Sequence, residues 1–204
     1  LFALSFLPMF GIGGLTGLPL GLAASDIPLH DTYYVIAHFH YIVAPGTIFA
    51  LFAGIYYWFP KATGRKMNDL LGHLHFWPSL VFMNIVFMPM FIQGLAGVSR
   101  RLYDGGASYD FAQPVLHLNK LSTHGAWGLA IAQLPFMINF FWSIYKGQKA
   151  KSDNPWDATT LEWVAPNCPP HGNFNPIPKV YRGPYEYSVP GAAKDFSPQN
   201  QPNI

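Results

Sequence analysis

Charge is what this sequence has least of. Only 11% of its 204 residues are Asp, Glu, Lys or Arg, while half are hydrophobic; an ordinary soluble domain carries about 25% charged residues. The shortage is uneven, because positions 1–60 contain no Lys or Arg and only two acids, Asp26 and Asp31. Such a composition argues against a water-solvated globular domain and points to lipid. The formal net charge is +2, and no basic stripe is present that would track a phosphate backbone, so nucleic acid is excluded as a partner. A single cysteine, Cys168, excludes an internal disulfide framework. No cleavable signal peptide is expected, because the first apolar run is too long and lacks a basic flank. Strand alternation and internal repeats of 20 to 50 residues are also absent.

What takes the place of charge is long apolar runs. A helix needs about 20 residues to cross a hydrocarbon core about 30 Å thick, and four stretches are long enough: Leu1–Ala24, Thr32–Phe59, Phe76–Val98 and Leu121–Tyr145. None contains Asp, Glu, Lys or Arg. Lipid offers no partner to exposed peptide groups, so runs of this kind predict helices. The fold class expected is therefore all-α, a polytopic membrane protein, with residues 1–145 holding four spans. Pro8, Pro45, Pro89 and Pro135 lie inside the spans and predict kinks rather than breaks. Gly11, Gly13, Gly14, Gly17 and Gly21 on the first span would let another backbone or a flat ligand approach closely.

The connectors set an orientation. Lys61, Arg65 and Lys66 follow span two, and Lys146, Lys149 and Lys151 follow span four, against Arg100, Arg101 and Lys120 between spans three and four. The excess places the first two groups on the inner side. Residues 146–204 form a polar tail with ten of the nineteen prolines. Without helical or strand periodicity, it is expected to be irregular, packed on a partner surface or partly disordered, and on the inner side.

Two histidines stand out in the run YVIAHFHYIV, residues 34–43. A helix turns about 100° per residue, so His38 and His40 point to nearly opposite sides and do not share one metal ion easily. Each can instead serve a separate planar cofactor as an axial imidazole, with Phe39 between them. The alternative is a pair of buried histidines hydrogen-bonded to neighbouring helices, although ionisable groups at this depth are costly and usually functional. His73 and His75 repeat the spacing at the start of span three. They lie beside a charged connector, where water is expected to satisfy them, and read as structural.

Extended upstream, the stretch becomes SDIPLHDTYYVIAHFHYIV, which strongly resembles the C-terminal part of subunit I of the haem-copper cytochrome c oxidases. GIGGLTGLPL, YYWFPKATGRKMND, SRRLYD and LEWVAPNCPP extend the resemblance over nearly the whole chain. It implies that the four spans are helices nine to twelve of a twelve-helix bundle. It further implies that His38 is the proximal ligand of the high-spin haem and His40 an axial ligand of the low-spin haem, the haems being of the a type. His30 and Asp31 would bind a magnesium shared with subunit II. Asp26, Arg100 and Arg101 would hold haem propionates, Arg being suited by its planar, permanently charged fork. Asp31 also has a bland reading, as a helix N-cap ahead of Thr32. It argues against the quinol-oxidising relatives.

The copper ligands of that family, its cross-linked tyrosine and the second axial histidine have no counterpart in these residues. They would belong to an N-terminal part of subunit I, and the chain is expected to be either part of a longer subunit or one piece of a split one. Expected partners are that part, subunits II and III, cytochrome c and membrane lipid, in a bacterial plasma membrane or the mitochondrial inner membrane. The expected function is oxygen reduction by cytochrome c coupled to proton pumping. Rival readings are a quinol oxidase or nitric oxide reductase, a scaffold that has lost its cofactors, and a metal-ion transporter. His117 and His124 match no ligand of the family, and His171 and Cys168 in the tail read as structural.

Overall fold

The structure, a computed structural model, describes residues 1–186 and 196–202; the rest of the tail lies outside the described residues. Its elements in chain order are α1 (Phe2–Gly21), α2 (Ala23–Leu29), α3 (Tyr33–Val43), a π-helical turn at Ala44–Phe49, α4 (Ala50–Thr63), β1 (Arg65–Lys66), α5 (Asp69–Leu95), a 3-10 turn at Asp110–Val115, α6 (His117–Ala132), α7 (Leu134–Lys146), β2 (Gln148–Lys149) and a 3-10 turn at Leu161–Trp163. Four of the resulting helical runs are long and apolar enough to cross a membrane: Phe2–Gly21, Tyr33–Thr63, Asp69–Leu95 and His117–Lys146. The protein is thus mainly helical, an integral multi-pass membrane protein.

The spans differ from expectation where polar residues are absorbed into helix. The third begins at Asp69 rather than Phe76, because an acid in the first turn suits the positive end of the helix dipole. His73 and His75 therefore lie within α5. Its C-terminus is a Schellman turn: Gly97 adopts φ +84°, its N–H donates to Gly94 O at 2.9 Å, and the Val98 N–H donates to Gln93 O at 3.0 Å. Helix continues through Pro8 and Pro89. At Pro45, which cannot donate to the preceding turn, the backbone widens into the π-helical turn. Near Pro135 the expectation of a kink gives way to an interruption at Gln133 between α6 and α7.

The chain forms two units. The first comprises Leu1–Gly54 and Asp69–Ile138. Within it α3 packs on α1 and on α5, and α5 on α6. The crossing of α3 and α5 is close enough that a Cβ on Gly94 would strike the Tyr34 backbone. Polar side chains in these interfaces bond each other: the Tyr41 hydroxyl donates to Asn84 Oδ1 at 2.8 Å, and Gln93 Nε2 donates to Asn119 Oδ1 at 2.7 Å.

The second unit comprises Ile55–Asn68 and Asn139–Ile204. Here Asn139 clasps the Asn68 backbone, accepting from its N–H at 2.8 Å and donating to its carbonyl at 2.9 Å. The Lys61 ammonium donates to Asp153 O at 2.8 Å and to Ala165 O, and Trp163 is buried. Part of the described tail thus meets this chain's own Lys61, whose ammonium gathers its carbonyls.

Candidate functional site

The site is built on α3. Thr32 caps it, accepting from the Tyr34 N–H at 3.2 Å and donating to Leu29 O at 2.7 Å. The cap is therefore Thr32 and not Asp31. Asp31 takes up φ +58° instead, a left-handed conformation that Asp tolerates better than most residues, and this turns its carboxylate toward Arg100. Asp31 O accepts the Arg100 N–H at 2.9 Å and Val98 O accepts the Tyr33 N–H at 3.0 Å. The turn after α5 is thereby fixed to the start of α3.

His38 and His40 leave α3 in opposed directions, as the helical rotation requires. His38 faces α1, where its Nδ1 lies 2.8 Å from Gly13 O and 3.3 Å from Thr16 Oγ1. His40 Nδ1 lies 2.8 Å from Ile36 O, and the ring stacks on Phe87 of α5, with centroids 4.3 Å apart and an interplanar angle of 16°. A carbonyl only accepts, so each Nδ1 carries the proton. In the neutral ring each Nε2 then keeps its lone pair, and neither Nε2 hydrogen-bonds a described residue. An imidazole oriented through its other nitrogen is the usual state of a metal ligand.

Room for a ligand on the His38 side depends on Gly17, whose added Cβ would lie 2.8 Å from His38 Cε1 and 3.4 Å from Nε2. Thr16 and Gly17 were not singled out in sequence as partners of His38. The available signal was a hydroxyl within a glycine-rich apolar run. Phe39 is 39% exposed and lies beside the His40 ring, with centroids 4.4 Å apart.

The remaining predicted residues gather at the N-terminal end of α3. His30 Nδ1 is 3.5 Å from Asp26 Oδ2 and its Nε2 is 3.6 Å from Asp31 Oδ2, while Arg100 Nη2 reaches Asp31 Oδ1 at 2.6 Å. Arg100 Nε is buried and has no partner, a donor that an incoming carboxylate would satisfy. Arg101 is exposed. No group of three or more metal-ligating side chains occurs among the described residues, so a divalent ion here would draw further ligands from water or another chain.

His75 departs from its expected setting. It is wholly buried, its Nε2 lies 3.1 Å from Gln133 Oε1, and Gln133 Nε2 donates to Ser79 Oγ at 3.1 Å. Protein groups rather than water satisfy it. The rings of Phe2, Phe52 and Phe136 surround it, with centroids 4.9, 4.4 and 5.1 Å away. His73 is exposed.

The family model described as cytochrome c and quinol oxidase polypeptide I matches residues 1–131. Over 99% of its length the chain is 48% identical to an alternative cytochrome c oxidase subunit 1 of Bradyrhizobium diazoefficiens, covering 34% of that protein. It is 50% identical to a cytochrome c oxidase subunit 1 of a Synechocystis species, over 93% of this chain and 33% of the relative. A quinol oxidase subunit 1 of Bacillus subtilis is 38% identical over 88% of the chain and 27% of its own length. The chain spans about a third of the length of the first two relatives.

Proposed function

The chain belongs to the cytochrome c and quinol oxidase polypeptide I family, and from that membership we propose that it is the C-terminal part of the catalytic subunit of a haem-copper cytochrome c oxidase. The observation that carries the reading is the pair of imidazoles on α3, each held through Nδ1 by a backbone carbonyl and each with Nε2 left over, on opposed sides of one helix. His38 would hold the high-spin haem and His40 the low-spin one, both taken to be of the a type from the family resemblance. When bound, the haems supply the redox chemistry by which four electrons from cytochrome c reduce oxygen to water.

What the chain's own residues do follows from their hydrogen bonds. The Gly13 and Ile36 carbonyls polarise the two Nδ1–H groups, which makes each Nε2 a better donor to iron and fixes the ring planes. The His38–Phe39–His40 backbone offers a short covalent path between the two ligand positions. Arg100, whose buried Nε has no partner, would bind a propionate, with Arg101 beside it and Asp26 as a hydrogen-bonding partner. His30 and Asp31 are one imidazole and one carboxylate for a magnesium completed by subunit II. The copper belongs to the N-terminal part of subunit I. Subunits II and III and cytochrome c are the further partners, and proton pumping accompanies the reaction.

The test uses the assembled complex. His38→Ala should abolish the high-spin haem signal and His40→Ala the low-spin one in reduced-minus-oxidised spectra. Normal spectra in both variants would refute the ligand assignment. Asp31 favours cytochrome c over quinol as donor. Rapid oxidation of quinol but not of cytochrome c would overturn that choice and leave the ligand assignment intact.

A further inference from the structure

The two ends of the second unit's helices are joined by a ladder that is electrostatically odd. β1 and β2 pair antiparallel, with Arg65 opposite Lys149 and Lys66 opposite Gln148. Directly opposed like charges destabilise a two-stranded pair, and β1 and β2 have only two residues each. Further cations crowd the same place: Lys146 ends α7, and Lys151 follows β2. None of these five forms an ion pair with a described residue.

Two of the five are partly engaged. The Arg65 guanidinium donates to Gly147 O at 2.7 Å, and Lys66 Nζ lies 4.9 Å from the Trp156 ring centroid. Lys146, Lys149 and Lys151 are exposed. Asp153, next on the connector, makes no ion pair with them, and its Oδ1 accepts from the Asn167 N–H at 2.8 Å. On the apolar side, Trp142 and Tyr145 of α7 are 61% and 72% exposed. Trp142 lies one helical turn before Lys146, on the same face.

We propose that this ladder is a binding site for the headgroup of an acidic phospholipid. Lys146, Lys149 and Lys151 surround the phosphate, while Trp142 and Tyr145 lie against the glycerol and the upper acyl chains. The cationic loops mark this end as the inner side, where a membrane is rich in anionic lipid and Lys or Arg at its surface binds such lipid. Tryptophan and tyrosine belong at that depth. A phosphodiester set between Arg65 and Lys149 would turn the repulsion across the ladder into attraction to a shared anion. The proposal rests on the membrane-spanning helices and their charge bias, and not on the haem assignment.

The experiment is lipid retention by the assembled complex. It is stripped in detergent, then titrated with nanodiscs of phosphatidylglycerol or of phosphatidylcholine. The wild type should retain phosphatidylglycerol through washing, and K146Q/K149Q/K151Q should hold it roughly a hundredfold more weakly, with unchanged haem spectra. Equal retention by variant and wild type would overturn the proposal. Should the variant fail to assemble, the wild type still decides. Phosphatidylglycerol, and not phosphatidylcholine, should protect Lys146 and Lys149 from acetylation. Equal protection by both lipids, or carbodiimide cross-linking of Lys149 to an acidic segment of another subunit, would also overturn it.

Discussion

Within the first unit, two helices carry the same two-residue histidine spacing and use it in different ways. On α3, His38 and His40 each give Nδ1 to a main-chain carbonyl and keep Nε2 unbonded among the described residues. On α5, His75 gives Nε2 to Gln133 inside a shell of phenylalanines, and His73 faces outward. The difference lies in what the neighbouring helix offers. α1 approaches His38 with the Gly13 carbonyl and with Gly17, which has no side chain to fill the space. The interruption between α6 and α7 instead brings a side-chain amide to His75 Nε2, and phenylalanine rings enclose the imidazole, which leaves no room for a flat ligand beside it. A histidine is therefore a ligand candidate only when tertiary packing holds one nitrogen and leaves space beside the other.

Six substitutions would break or sharpen this contrast. The largest effect is expected from His38→Ala or His40→Ala, with oxygen consumption falling by more than about 100-fold, because even the outer partners of a metal ligand are worth about 10–100-fold. His73→Ala, measured in the same oxygen-electrode assay, should stay near wild type. His75→Ala should keep the haem spectrum yet lower stability by about 2–4 kcal/mol, through the cavity and the unpaired Gln133 amide. Thermal loss of haem absorbance measures this, and a lost haem band at low temperature would dissolve the contrast between the two pairs.

Gly17→Ala comes next. Its methyl would meet the His38 ring at 2.8 Å, so the high-spin haem band should shift and turnover should fall about 10-fold, the scale of a disturbed ligand orientation. Beyond the His73 control, the smallest effect is expected from Thr16→Val. It removes the 3.3 Å contact but leaves the 2.8 Å bond to Gly13 O, so a loss of about 1 kcal/mol, read as a few-fold drop in turnover, should suffice.

Much of the fold was legible in the sequence, since apolar runs free of charge leave the backbone no option but helix. Legibility failed where local signals competed. The start of α5 was misplaced by seven residues because His73 and His75 read as connector, while Asp69 and tertiary partners extend the helix over them. Asp31 read as a possible cap, yet Thr32 holds that role, because a left-handed Asp31 frees its carboxylate for Arg100. The proline-rich tail offers no periodicity from which burial of Trp163, or its anchoring by Lys61, can be read.

By itself the sequence determined that this chain crosses a membrane four times and that His38 and His40 leave one helix on opposed sides. Composition and a rotation of about 100° per residue are local properties that need no knowledge of neighbours. Only the tertiary structure decided which nitrogen of each ring is held, that Arg100 closes on Asp31, and that Arg65 faces Lys149. Those pairings join residues 4 to 84 positions apart, and their partners are chosen by packing and pairing geometry.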